Sequence, residues 1–305
     1  MKGIARLFLV LACFIAAGTA CFSAVCYQGQ CLVKSADATP IEYTVSGKGD
    51  MTLVFIHGWS CDSRYWQKQV PYFEKRYRVV TIDLAGHGHS GLGRENYTVR
   101  GFAEDVKAVV DSLGAGQVLL IGHSMGGDIA ASAAVILPGI VIGMVGVDTI
   151  QNVEEAWSRE DFDKMIYTGF TVDFQKAADK FVRDMFMPGA DPALVDWVAA
   201  DMSSAPPKVG LSVFDNMYKE LFSGHEAELF ERIPGVPVRC VNAKLWPTNE
   251  EANRRHIKSY GVAYLDGVGH FLMLEKPAEF NKLLDTAIRQ IETEHQNKLG
   301  NKLTH

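Results

Sequence analysis

Positive charge is scarce in this chain of 305 residues: 30 lysines and arginines face 36 aspartates and glutamates, a net charge of −6. No long basic run or basic–aromatic stripe concentrates what there is. A protein that grips a phosphate backbone needs dense Lys and Arg, so the composition argues against a nucleic-acid partner. Long apolar runs are missing too. Outside the N-terminus none reaches the roughly 18 residues that would span a bilayer. The six cysteines show no metal-ligand spacing, which argues against zinc or redox work. Disorder is excluded as well, because 48% of the residues are hydrophobic and can bury a sizeable core.

The apolar stretch at the N-terminus has the three-part layout of an export segment. Lys2 and Arg6 form a positive start, Leu7 to Ala17 is apolar, and Gly18-Thr19-Ala20 supplies small residues before Cys21. Residues 1–20 are therefore expected to be a signal peptide, and their removal takes two positive charges away, leaving −8. Ala20 and Gly18 suit ordinary signal peptidase. The same residues resemble a bacterial lipobox except that Gly18 stands where Leu is usual, so a lipid on Cys21 is the one membrane link on offer. Either cut exports the protein, to the periplasm or to a membrane-anchored lipoprotein. Cys26 and Cys31, close together in a loop-like segment, are candidates for a disulfide. Cys240 lies in an apolar strand pattern and reads as a buried thiol, and Cys61 follows a glycine turn.

Residues 21–40 read as a tether. Strand and helix patterns then alternate. Apolar runs at Met51–Ile56, Arg78–Ile82, Gln117–Ile121, Ile140–Val147, Val236–Val241 and Val262–Leu265 look like strands. Helical patterns cover Ser63–Arg76, Val99–Leu113, Met125–Leu137, Asn249–Ser259 and Pro277–Glu292. Alternation of this kind predicts a mostly parallel α/β sheet with helices on both faces, and functional residues belong at the carboxyl ends of its strands. Residues 151–233 interrupt the alternation. They are helix-prone and free of any clear strand, which predicts a helical cap inserted between core segments 41–150 and 234–295. A polar tail, 296–305, reads as frayed.

The strongest chemical signal is Gly122-His123-Ser124-Met125-Gly126-Gly127, placed directly after a strand pattern and before a small-residue helix. It fits Gly-x-Ser-x-Gly, where small neighbours let the backbone bend sharply and expose the serine Oγ. A serine hydroxyl needs a base within hydrogen-bond reach. His270, in Gly267-Val268-Gly269-His270 after the last strand pattern, has the best position of the nine histidines. His57-Gly58-Trp59 ends the first buried strand, and a turn there can bring the Trp59 amide alongside that of Met125 toward an oxyanion. His57 itself reads as structural. His87, His89 and His123 fall in glycine-rich turns and read as turn hydrogen-bonders, with no carboxylate or cysteine at ligand spacing.

With these segments in this order, the chain resembles the α/β-hydrolase superfamily, in its serine-nucleophile branch with a helical cap. The resemblance runs from Ile41 to Ile291 and includes Asp83-Leu84-Ala85-Gly86-His87-Gly88-His89-Ser90. It implies an eight-stranded sheet, Ser124 as nucleophile, His270 as base, and Met125 and Trp59 as oxyanion donors, with no cofactor. The acid departs from the pattern: where the family usually carries an aspartate, this chain has Trp246. Some members place the acid one strand earlier, which here is Asp148. Glu250, Glu251 and Asp266 stay open as alternatives, as does the absence of any acid.

The expected function is an exported serine hydrolase cleaving a carboxylic ester or related acyl bond (lactone or thioester included). Large apolar side chains between Trp157 and Trp197 suggest a small-molecule acyl substrate of apolar or aromatic character. The serine at the elbow disfavours epoxide-hydrolase and haloalkane-dehalogenase chemistry, whose relatives use aspartate there. A receptor built on the same scaffold, or a C–C hydrolase or perhydrolase using the same residues, are the alternatives.

Overall fold

The computed structural model describes residues 24–27 and 29–303, so the export segment 1–20 and Cys21 lie outside the described residues. Nine strands form one sheet: β1 (Val25–Tyr27), β2 (Gln30–Lys34), β3 (Pro40–Ser46), β4 (Met51–Ile56), β5 (Arg78–Ile82), β6 (Gln117–His123), β7 (Val141–Val147), β8 (Val238–Ala243) and β9 (Tyr260–Leu265). Their order is β1-β2-β3-β5-β4-β6-β7-β8-β9. The β5-β4-β6-β7-β8-β9 block is wholly parallel, and the β1, β2 and β3 edge is antiparallel. β4, β6 and β7 are continuous apolar runs, buried along nearly their whole length. That is what a parallel strand requires when helices cover both faces.

Helices fill the crossovers: α1 (Val99–Ser112), α2 (Met125–Ile136), α3 (Phe174–Arg183), α4 (Pro192–Ser203), α5 (Pro207–Met217), α6 (Glu226–Glu231), α7 (Glu250–His256) and α8 (Pro277–Leu303). Between β7 and β8 the described elements are all helical. Two of them are π-helical turns, Asp163–Tyr167 and Tyr218–Phe222. The stretch expected as one helix from Ser63 to Arg76 is broken into a short 3₁₀ turn (Ser63–Trp66) and a single α turn (Val70–Phe73). Pro71 lacks the amide that a continuous helix would need there.

Three expectations need correction. The sheet has nine strands rather than eight, and the tether over 21–40 contains two of them. β2 alternates, with Cys31 and Val33 buried and Gln30, Leu32 and Lys34 exposed, but five residues are too few for the period of two to stand out from a loop. Cys26 and Cys31 face each other across β1 and β2 and are joined by a disulfide. The polar tail, too, is helical as far as Leu303. Gln, Lys and Leu there are strong helix formers, and Lys298 pairs with Glu294 one turn back.

Beneath this edge lies a buried ionic knot. Asp105 of α1 is fully buried and takes the Arg94 guanidinium on both oxygens, at 2.5 and 3.2 Å. It also accepts from the Ser35 hydroxyl at 2.5 Å and the Ala85 amide at 3.1 Å. The end of β2, the loop after β5 and α1 are thereby tied at one carboxylate.

Candidate active site

Ser124 stands between the last residue of β6 and the first of α2. Its backbone, φ 52° and ψ −127°, falls outside the relaxed left-handed well and stores strain of about 1–3 kcal/mol. The neighbours hold it there. The Ser124 amide donates to Val147 O at 3.0 Å, and Gly127 N donates to Ser124 O at 2.8 Å. Close approach dictates the glycines: a Cβ on Gly122 would lie 2.0 Å from Gly126 O, and one on Gly126 would lie 2.4 Å from Ile56 O. Met125 opens α2, so its amide has no carbonyl to receive it within the helix and faces the positive end of the helix dipole.

The loop after β9 delivers His270. Gly269 N donates to the Glu275 carboxylate at 2.9 and 3.1 Å, and His270 N donates to Met185 O, just beyond α3, at 2.9 Å. Sequence reading missed both anchors; Glu275, six residues past Gly269, offers no motif, and Met185 contributes only its main chain. Burial, partly offset by the Gly269 and Phe271 amides and the His270 charge, raises the Glu275 carboxyl above its usual range. The His270 imidazole is buried and its Nδ1 lies 2.6 Å from Asp148 Oδ2. A carboxylate accepts only, so Nδ1 is the donor in this bond.

Asp148, at the end of β7, also accepts the Ala243 amide on Oδ1 at 2.8 Å. The other candidate acids are engaged elsewhere on the surface: Glu250 with Arg254 and Tyr264, Glu251 with Arg255, Asp266 with Lys244. Trp246 lies edge-on to the His270 ring at 5.1 Å. The position where the family usually keeps its carboxylate thus carries a wall of the imidazole's own pocket.

Three other buried histidines serve the backbone. His57 accepts from Leu84 N on Nε2 at 3.1 Å and donates from Nδ1 to Gly58 O at 2.8 Å, and burial lowers its pKa. His87 bonds Ala85 O, and burial with the nearby His57 pushes it down to about 3. His123 bonds the His270 carbonyl at 3.0 Å. His89 differs: Glu42 of β3 and Asp83 of the same turn bring their oxygens within 4.8 Å of its ring nitrogen. Among the described residues this is the group that could hold a cation. Asp83, however, is already committed to the Ser63 and His89 amides, as a turn requires.

Ser124, His270, Met125, Gly58 and Trp59 line one cavity of about 130 Å³. Ile166, Phe181, Met185, Met202, Phe214 and Phe222 of the inserted helices close its far side. No charged side chain lines it; beyond Ser124 the polar atoms come from His123, His270 and the Cys61 thiol, which burial makes harder to ionise. The Trp59 indole donates to Gly210 O at 3.1 Å and stacks on Phe214 at 4.4 Å, joining the loop after β4 to the helices above it.

A family model described as alpha/beta hydrolase fold matches residues 52–249. The chain is 32% identical over 133 residues to human epoxide hydrolase 4, covering 42% of this chain and 37% of that one. It is 30% identical over 154 residues to the pimeloyl-[acyl-carrier protein] methyl ester esterase of Edwardsiella ictaluri, covering 49% and 57%. Neither match reaches two thirds of the relative's length. A bromoperoxidase structure from Bacillus anthracis superposes with a TM-score of 0.74 at 23% identity, over 85% of this chain and 99% of that one. With the family match spanning well over half of its length, the chain belongs to the α/β-hydrolase fold family.

Proposed function

We propose that the protein is a serine hydrolase that cleaves a carboxylic ester or related acyl bond through an acyl-enzyme on Ser124. The observation that carries this reading is the Asp148–His270 bond, 2.6 Å long, ending in a cavity that Ser124 shares. His270 Nε2 takes the proton as Ser124 Oγ attacks the carbonyl, and Asp148 stabilises the imidazolium. The Met125 and Trp59 amides hold the oxyanion. The imidazolium returns its proton to the departing alcohol, and a water molecule, deprotonated by the same nitrogen, releases the acid. The helices between β7 and β8 act as the cap, and the uncharged lining favours a neutral substrate, since a charge buried there would find no partner. The esterase relative acts on a methyl ester, which fits this class. The human epoxide hydrolase points elsewhere, and the serine nucleophile sets this chain apart from that chemistry.

Export is part of the same proposal: the Cys26–Cys31 disulfide suits an oxidising compartment, and either a free N-terminus or a lipid on Cys21 would follow cleavage. The test is labelling with a fluorophosphonate followed by turnover of a p-nitrophenyl ester. Wild type should label and show a burst, and Ser124→Ala should do neither. Full labelling of Ser124→Ala, or no labelling of wild type alongside tight ligand binding, would sink the hydrolase reading in favour of a receptor.

A further inference from the structure

Resting on the reading of Ser124 as nucleophile, we propose that Arg159 is a positioning residue that limits the acyl site to short, uncharged groups by locking together the two π-helical turns roofing it. The first turn, Asp163–Tyr167, supplies Ile166 to the cavity, and the second, Tyr218–Phe222, supplies Phe222. Each continues an α-helical stretch, from Arg159–Phe162 and from α5 respectively. A π turn inserts one residue into a helix and so re-aims the side chains around it; such turns are rare and gather at functional sites. Here both re-aimed segments meet over one serine.

Arg159 touches both. Its guanidinium lies 5.0 Å from the Tyr167 ring and 5.1 Å from the Tyr218 ring, one in each π turn, and 5.8 Å from Phe162. Nε bonds Asp163 of the first turn at 2.8 Å, and a terminal nitrogen bonds Asp215 of α5 at 2.8 Å. Phe162, fully buried, carries the contact inward, 5.1 Å from Tyr218 and 6.1 Å from Phe222. A planar cation that stacks on rings while forking to two carboxylates cannot be reproduced by lysine, a compact point charge. The second turn is held from below too, since Glu220 accepts the Val99 amide opening α1 at 2.8 Å. Arg159 is therefore the side-chain tie between the two halves of the roof, beside the main-chain bond from Trp157 N to Phe222 O at 2.7 Å.

The cavity's size sets the substrate. At about 130 Å³ it is close to the engineered apolar cavity of about 150 Å³ that accommodates benzene, so an acyl group of roughly six heavy atoms fills it. With the link broken, Ile166 and Phe222 can part and the site deepens.

The test is kcat and KM over p-nitrophenyl esters from acetate to decanoate for wild type, Arg159→Ala and Arg159→Lys. Wild type should prefer the short end. Both variants should raise the octanoate-to-acetate ratio of kcat/KM about tenfold, the scale of a methylene's discrimination in an apolar pocket. Their kcat on acetate and the rate of phosphonate labelling at Ser124 should stay within about twofold of wild type. An unchanged ratio, a proportional loss on every ester, or a lysine variant that behaves as wild type would overturn the assignment. A second readout needs no turnover: in a Ser124→Ala background, binding of 2-alkanones of increasing length is followed by tryptophan fluorescence. Adding Arg159→Ala should tighten the longer ketones at least fivefold, and equal affinities would refute the proposal. Failure of Ser124 to label defeats the hydrolase reading alone and leaves the ketone series to decide on Arg159.

Discussion

Asp148 has one oxygen for His270 and the other for the Ala243 amide, and this division makes its replacement by asparagine informative. The Ala243 N–H can only donate, so it keeps the asparagine carbonyl, and the amide NH₂ must then face the imidazole. His270 answers by presenting the Nδ1 lone pair, which moves its proton to Nε2 and removes the base. Asp148→Asn is therefore expected to keep its fold and its ligand binding while turnover falls about 10³- to 10⁴-fold. Near-normal kcat by stopped-flow ester hydrolysis would move the acid elsewhere. Sequence alone left four carboxylates open here, because the deciding facts are spatial: Glu250, Glu251 and Asp266 have surface partners, and the end of β7 reaches the imidazole. Ser124 and His270 were legible because their flanking glycines are required by backbone geometry that a short motif can express.

At the scale of elements, the helix that follows Ser124 carries an oddity. Asp128, in the first turn of α2, is 5% exposed, and its Oδ1 has no partner among the described residues. α6 packs against α2 and turns Glu226 toward it, with Glu155 also contributing to the local field. Burial pushes the Asp128 carboxyl up to about 7. Burial first, then the Asp128 and Glu155 charges, raises Glu226 as well. The folded state thus keeps protons that the unfolded chain, with ordinary carboxyl values near 4, has released. Stability is full below about pH 4 on this account and falls as pH rises from about 4 to about 7. Asp128→Asn should flatten that slope, raising Tm by about 3–6 °C at pH 8 with little change at pH 4. Parallel melts across that range decide, and an equal slope in both proteins removes Asp128 from the account.

Long elements were the readable ones. β4, β6 and β7 announce themselves as nearly unbroken apolar runs, whereas β1 and β2 are three and five residues long and β2 is exposed at every other residue. Neither π turn breaks the apolar pattern that a helical period looks for, so the pair over the cavity was invisible in sequence.

For the whole molecule, the antiparallel edge is secured by charge as well as by the core side chains Val33, Ile41 and Tyr43. Asp105 gathers Arg94, Ser35 and the Ala85 amide, joining the N-terminal strands to α1 and to the loop after β5. Without Asp105, the buried Arg94 keeps only the part-exposed Asp37, at 2.7 Å, so the cost approaches but does not exceed the about 3–5 kcal/mol of a buried charge left wholly unpaired. Asp105→Ala should lower the urea midpoint accordingly, and the loss should exceed that from cutting the exposed Arg100–Glu104 pair severalfold. Comparable losses would mean that water already reaches the knot.

On the proposed function, the main-chain bond from His270 N to Met185 O would make an interlock of base and lid. Any swing of the lid wide enough to admit a guest pulls on the very peptide that aligns the imidazole. On that reading the machine would be armed only when shut, and while it stood open, a stray ester or water would find an alcohol without its accomplice.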